Sequence, residues 1–89
     1  MLIQIESGDV VKSTAGRDKE KIFLVVDVLD NFVYLVDGKT HKTSSPKKKS
    51  IKHVKNILPK GLKSLSDRIK SGELVGNKRI SRSLPNKKI

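Results

Sequence analysis

The side chains in this sequence whose types and spacing can do chemistry are cationic. Lys47, Lys48 and Lys49 run consecutively, and Lys52 and Lys55 follow at short intervals. Ammonium groups in such a run bind phosphate by charge, because each one placed on a nucleic-acid backbone releases condensed counterion. A second pair, Arg17 and Lys19, flanks Asp18 just after Gly16. A guanidinium there can fork onto a phosphate or stack on an exposed base, and either cation can equally pair with Asp18 or Glu20. Lys12 and Lys42 complete the set of candidate phosphate contacts. In an extended chain alternate side chains face opposite ways, so one flat surface cannot use all five residues of the lysine run. The same run can equally be a solvated loop between strands.

Other chemistries have less to work with. His41 and His53 stand far apart in a chain with no cysteine and no nearby carboxylate pair, so a metal site is not expected. No glycine-rich phosphate loop precedes a helix, and no Ser-His-Asp arrangement is visible in 89 residues, so neither catalysis nor a cofactor is expected. The absence of cysteine fits a reducing compartment. The longest apolar run, Ile22 to Val26, is far shorter than the roughly 20 residues that span a bilayer, and the N-terminal residues lack the pattern of a secretory signal. A cytosolic protein with no membrane partner, monomeric when free, is the expectation.

The cations are segregated along the chain. The net charge is +11, yet residues 1–40 hold five basic and seven acidic side chains while residues 41–89 hold 15 basic and two acidic ones. A compact domain followed by a cationic segment fits a polyanion partner, whereas solubility alone does not require such segregation. At 35% hydrophobic residues the chain is less apolar than the 45–50% of an average globular protein, so one small domain with a poorly buried part is expected.

The elements that must position these residues begin with β structure. Asp9 to Ser13 reads as a short strand opened by Gly8. Lys21 to Leu29 is too continuously apolar for a surface strand and reads as a central one, covered on both faces. Asp30-Asn31 then turns the chain into a strand over Phe32 to Val36, making a hairpin. Asp37-Gly38 provides a second tight turn into an expected strand over Lys39 to Thr43, which Ser44-Ser45-Pro46 ends. Ser50 to Val54 is expected as the closing fifth strand. Phe23 is assigned to the core; Phe32 and Tyr34 share a strand face and are either core or a stacking platform. Five short strands with tight turns predict an all-β fold, a small closed barrel. Beyond it, Leu62, Leu65 and Ile69 form an apolar stripe on a short helix between Gly61 and Gly72, and a second short helix runs from Asn77 through Leu84. Both are too short to persist alone, so they dock on the barrel or fold on a target. The expected division is a barrel at residues 1–55 and a basic, partly helical extension at 56–89.

Gly8 to Val28, with Gly16 at the motif's glycine, resembles a KOW motif, the strand-loop-strand unit of ribosomal proteins and transcription elongation factors. Val36-Asp37-Gly38 and Pro46-Lys47-Lys48-Lys49 are similar to bacterial KOW-domain RNA-binding proteins and to the fourteen-e large-subunit ribosomal proteins. The resemblance covers residues 6–55. It implies a five-stranded SH3-like barrel that binds RNA, with the loop around Gly16 near the nucleic acid. Loops of that kind commonly read Asp-Lys-Gly, and here the third position is Glu20.

The leading expectation is therefore an RNA-binding protein that associates with ribosomal RNA or the large subunit, by phosphate contacts and RNA shape, with ribosomal proteins as further partners. The alternative is a protein-interaction module of the same barrel class, offering Glu6, Asp9, Asp27, Asp30 and Asp37 to a basic partner.

Overall fold

β-branched and aromatic residues fill Ile22–Leu29, and this segment forms the longest strand at the centre of the sheet. The computed structural model describes residues 5–73 and 75–85; Met1 to Gln4, read above for targeting, and Asn86 to Ile89 of the basic extension lie outside the described residues. The strands are β1 (Val10–Ser13), β2 (Ile22–Leu29), β3 (Phe32–Val36), β4 (Lys47–Ser50) and β5 (Val54–Leu58), with a 3-10 turn over Ile51–His53. Two helices follow, α1 (Lys63–Lys70) and α2 (Asn77–Ser83). All described pairings are antiparallel and the order is β4-β3-β2-β1-β5. The count of five strands and two short helices is as expected. Among the described residues no ladder joins β4 to β5, so hydrogen bonds do not close the sheet into a barrel.

The continuous apolar run of β2 has its explanation in two cores, one on each face. Phe23 and Val25 point into a cluster with Ile5, Val11, Val33, Leu35 and Val54. Leu24 and Val26 point the other way, into a cluster with Val36, Leu65, Val75 and Ile80. The second cluster exists because the helices dock: the apolar stripe of α1 contributes Leu65, and α2 contributes Ile80. At Gly38, with φ of 77°, the turn after β3 passes so close to α2 that an added Cβ would sit 2.1 Å from the Asn77 carbonyl oxygen. Buried Ser66 of α1 donates to the Val25 carbonyl at 3.0 Å. Asp9, also buried, takes up the backbone N–H groups of Glu6 and Lys60 and the side-chain amide of Asn56. It fastens the N-terminal turn, β5 and the approach to α1 to one carboxylate.

Two expected strands are corrected. Lys39 to Thr43 is a closed loop, because the Asp37 carboxylate accepts from the backbone of Lys39 at 2.8 Å and His41 at 2.9 Å, and the His41 carbonyl accepts from Asp37 and Gly38. Side-chain bonds of this kind compete successfully with a ladder. The fourth strand is the lysine run itself, with Tyr34 opposite Lys48 and Leu35 opposite Lys47; consecutive lysines are tolerated there because β4 lies at a sheet edge. Ser50 to Val54 is not the fifth strand. The chain turns at Ile51–His53, and β5 starts at Val54 and continues to Leu58, paired with β1. Asn77 is the first residue of α2, as expected, and its side-chain oxygen accepts from the Thr43 backbone at 3.2 Å.

Candidate nucleic-acid interface

The β1–β2 loop is built around one buried carboxylate. Backbone bonds from Ser13 to Lys21 and from Glu20 to Ser13 pinch the loop at its base. Lys19 bonds back to Gly16, whose φ of 83° supplies the left-handed step of the turn. Asp18 turns inward, 6% exposed, while Arg17 and Lys19 on either side of it are exposed. Inside, Asp18 Oδ1 accepts from the Ser13 hydroxyl at 2.7 Å and from Lys49 Nζ at 2.8 Å. Lys49 also donates to the Ala15 carbonyl at 2.9 Å, and Lys47 Nζ lies 3.6 Å from Asp18 Oδ2. Burial pushes the Asp18 carboxyl up, but the hydrogen bonds from Lys49 and Ser13 and the charges of Lys49 and Lys47 outweigh it and hold the group at about 2, against an ordinary 3.8.

Strand geometry decides where the lysine run goes. Lys47 and Lys49 stand opposite Leu35 and Val33, residues of the strand-lined core, and reach from that face to Asp18. Lys48 stands opposite Tyr34 on the other face, with its ammonium 4.3 Å from the centre of the Phe32 ring. Lys49 is only 11% exposed and is committed to folding the loop. Lys12 pairs with Glu20 at 3.3 Å. Neither Arg17 nor Lys19 has an acidic partner among the described residues, since Asp18 and Glu20 are engaged elsewhere.

The loop is joined to the turn after β4 by a bond from Thr14 N to the His53 carbonyl at 2.9 Å, and exposed Lys52 lies in that turn. Lys55 is exposed on β5 directly opposite Lys12 on β1. Gly16, Arg17, Lys19, Lys12, Lys52 and Lys55 therefore belong to one end of the sheet. Lys42 is exposed in the loop between β3 and β4, and nothing ties it to that group. The positions missed in the sequence are Asp18, as the pin of the loop, and exposed Lys21 at its base. Alternation along Lys47 to Lys49 was the available signal for the first. A second group of cations, Lys60, Lys63 and Arg79, lines a shallow cavity of about 350 Å3 beside α1. His41 packs against Phe23, with ring centroids 5.9 Å apart.

Of the carboxylates considered for a basic protein partner, Asp9 is buried, Asp37 holds its own turn and Asp27 pairs with Lys70 at 3.4 Å, while Glu6 and Asp30 are exposed. Compared with known proteins, the chain matches no family model and no curated protein.

Proposed function

We propose that this chain is an RNA-binding domain of the SH3-like, KOW-containing class, holding structured RNA such as ribosomal RNA through phosphate contacts. One observation carries the reading: the β1–β2 loop turns its carboxylate inward and leaves Arg17 and Lys19 outward and unneutralised. A loop meant only to connect two strands does not need a buried ion pair to orient it. The strand order and the 3-10 turn between β4 and β5 support the SH3-like class, as does the resemblance of residues 6–55. The segregated charge supplies the long-range attraction. Recognition rests on phosphates and shape, because only three aromatic residues are present and Phe23 is buried.

The test is binding of the purified chain to a structured ribosomal RNA fragment across a salt series. Changing Arg17 and Lys19 together to glutamine is expected to weaken binding across RNA sequences and to flatten the slope of log affinity against log salt by about two. An unchanged slope removes the loop from the interface. In cell extracts, sedimentation with the large subunit that is lost at high salt supports the ribosomal partner; a protein complex that survives nuclease treatment overturns it in favour of a protein-interaction module.

A further inference from the structure

The helices cover only part of their face of the sheet. Towards the β2–β3 hairpin tip the same face carries Leu29, Phe32 and Tyr34, and none of them is fully covered: Leu29 is 59% exposed, Phe32 39%, and Tyr34 half-buried. Leu29 and Phe32 are cross-strand partners, and Phe32 and Tyr34 are alternate residues of β3, so their rings rise from the same surface. Beside them lies an open groove of about 390 Å3, floored by Val26 and Tyr34 and walled by Pro46 and Ile69. Its charged rim is nearly balanced on one side, where Asp27 pairs with Lys70 at 3.4 Å. Asp30 is exposed in the hairpin turn. Outside the lining but on the same face, Lys48 stands opposite Tyr34 with its ammonium 4.3 Å from the Phe32 ring centre, and it has no acidic partner among the described residues.

We propose that this face, the groove together with the Phe32 ring and Lys48 beside it, binds an unpaired nucleotide of RNA, with the base against Tyr34 and Phe32 and the adjoining phosphate on Lys48. The inference rests on the RNA-binding reading and adds a second contact of a different kind on the opposite face from Asp18. The chemistry selects the occupant. A wholly apolar partner would strip water from Lys48 without replacing it, which is costly. A nucleotide presents a flat, polarizable face and an anion one sugar away, so it matches both the rings and the ammonium. Duplex RNA cannot supply the flat face, since its bases are stacked within the helix. The groove is therefore specific for single-stranded segments, loops or bulges.

The experiment uses the full chain labelled with 3-fluorotyrosine, which reports on this groove alone because Tyr34 is the single tyrosine. Fluorine NMR and binding isotherms are recorded with a single-stranded RNA oligonucleotide, with a duplex of the same sequence, and with polyglutamate. The expected result is a shifted Tyr34 resonance with the single strand only. Phe32→Ala weakens single-strand binding about ten-fold or more, leaves the salt slope unchanged because no phosphate contact is lost, and leaves duplex binding within two-fold. Phe32→Leu, which keeps apolar bulk but lacks the ring, behaves as Phe32→Ala does. Equal binding of the single strand by parent and variants, or a resonance that moves with polyglutamate and not with RNA, overturns the nucleotide site. If salt-dependent binding to both RNAs persists in that case, only this inference fails. If neither RNA binds at all, the RNA reading fails with it.

Discussion

Replacing Asp18 by asparagine separates folding from binding at the β1–β2 loop, because the two are expected to move in opposite directions. Asparagine keeps an oxygen for Ser13 and Lys49 but removes the charge that Lys49 and Lys47 share. The carboxyl is held at about 2 against an ordinary 3.8, a gap that corresponds to about 2.4 kcal/mol if none of it is screened. Solvent reaches Lys47 on one side of the pair, so a loss of about 1–2 kcal/mol is expected, or about 5–10 °C in melting temperature for a chain of this length. A depressed native pKa stabilises fully above the unfolded value and the contribution is lost as pH falls towards the native one. The stability gap between parent and variant should therefore be complete above pH 4 and close between about pH 4 and pH 2. RNA binding should change the other way: Lys49 keeps its bonds to the side-chain oxygen and to Ala15, but Lys47, held by charge alone, becomes available to phosphate, and the salt slope steepens by about one. Urea titrations across that pH range and binding across a salt series read both quantities. A variant as stable as the parent at pH 7, or one whose RNA affinity drops together with its stability at an unchanged slope, refutes the assignment of Asp18 as the group that sequesters Lys47 and Lys49.

Other substitutions probe the surrounding parts. Glu20 sits at φ of 77°, a conformation that strains any residue with a Cβ, so Glu20→Gly should leave stability within about 1 kcal/mol while freeing Lys12 and steepening the salt slope by about one; a chemical-denaturation loss well beyond that value would mean the ion pair with Lys12 holds the loop. Phe23→Ala and Val25→Ala remove fully buried side chains from the strand-lined core and should cost about 2–5 kcal/mol by urea denaturation; a parent-like midpoint would place the core elsewhere. Ile80→Ala should cost about 2–4 kcal/mol, and Gly38→Ala should unseat α2 by backbone collision, both visible as increased amide exchange over residues 77–83; unaltered exchange would mean that α2 does not depend on the sheet. Lys49→Gln should destabilise the fold by about 1–3 kcal/mol by stranding Asp18, whereas Lys48→Gln should leave the melting curve in place, and equal effects from the two would contradict the division of the lysine run between faces.

The parts of the fold legible in the sequence were those with one strong local reason. Ile22–Leu29 is a strand because nothing else accommodates so many β-branched residues in a row, and its central position follows from having no polar face. The Asp30-Asn31 hairpin and the stripe of α1 were equally local. The misplaced strands depended on competition. At Lys39 to Thr43 a single carboxylate, Asp37, captured backbone groups that a ladder would have used. At Lys47 to Ser50 a solvated loop was an equal reading, and the edge position with Asp18 across the gap makes it a strand. The first outcome is a local capture, two and four residues from Asp37, that competes with strand propensity; the second depends on a partner 31 residues away and on the strand's place in the sheet.

Three consecutive lysines look like one binding feature, but a strand gives neighbouring residues to opposite faces. Lys47 and Lys49 are drawn to a buried carboxylate and orient the loop that carries Arg17 and Lys19, while Lys48 stands over Phe32 on the helix-bearing face. On the proposed reading, two of the three lysines in the run shape the loop rather than meet phosphate, while Arg17 and Lys19, exposed and without an acidic partner among the described residues, lie in a segment whose local net charge is close to zero. Mutating the whole run at once would lower RNA affinity for two unrelated reasons, loss of a contact at Lys48 and collapse of the loop at Asp18. Only single substitutions, with stability measured beside affinity, distinguish a lysine that touches RNA from one that positions the residues that do.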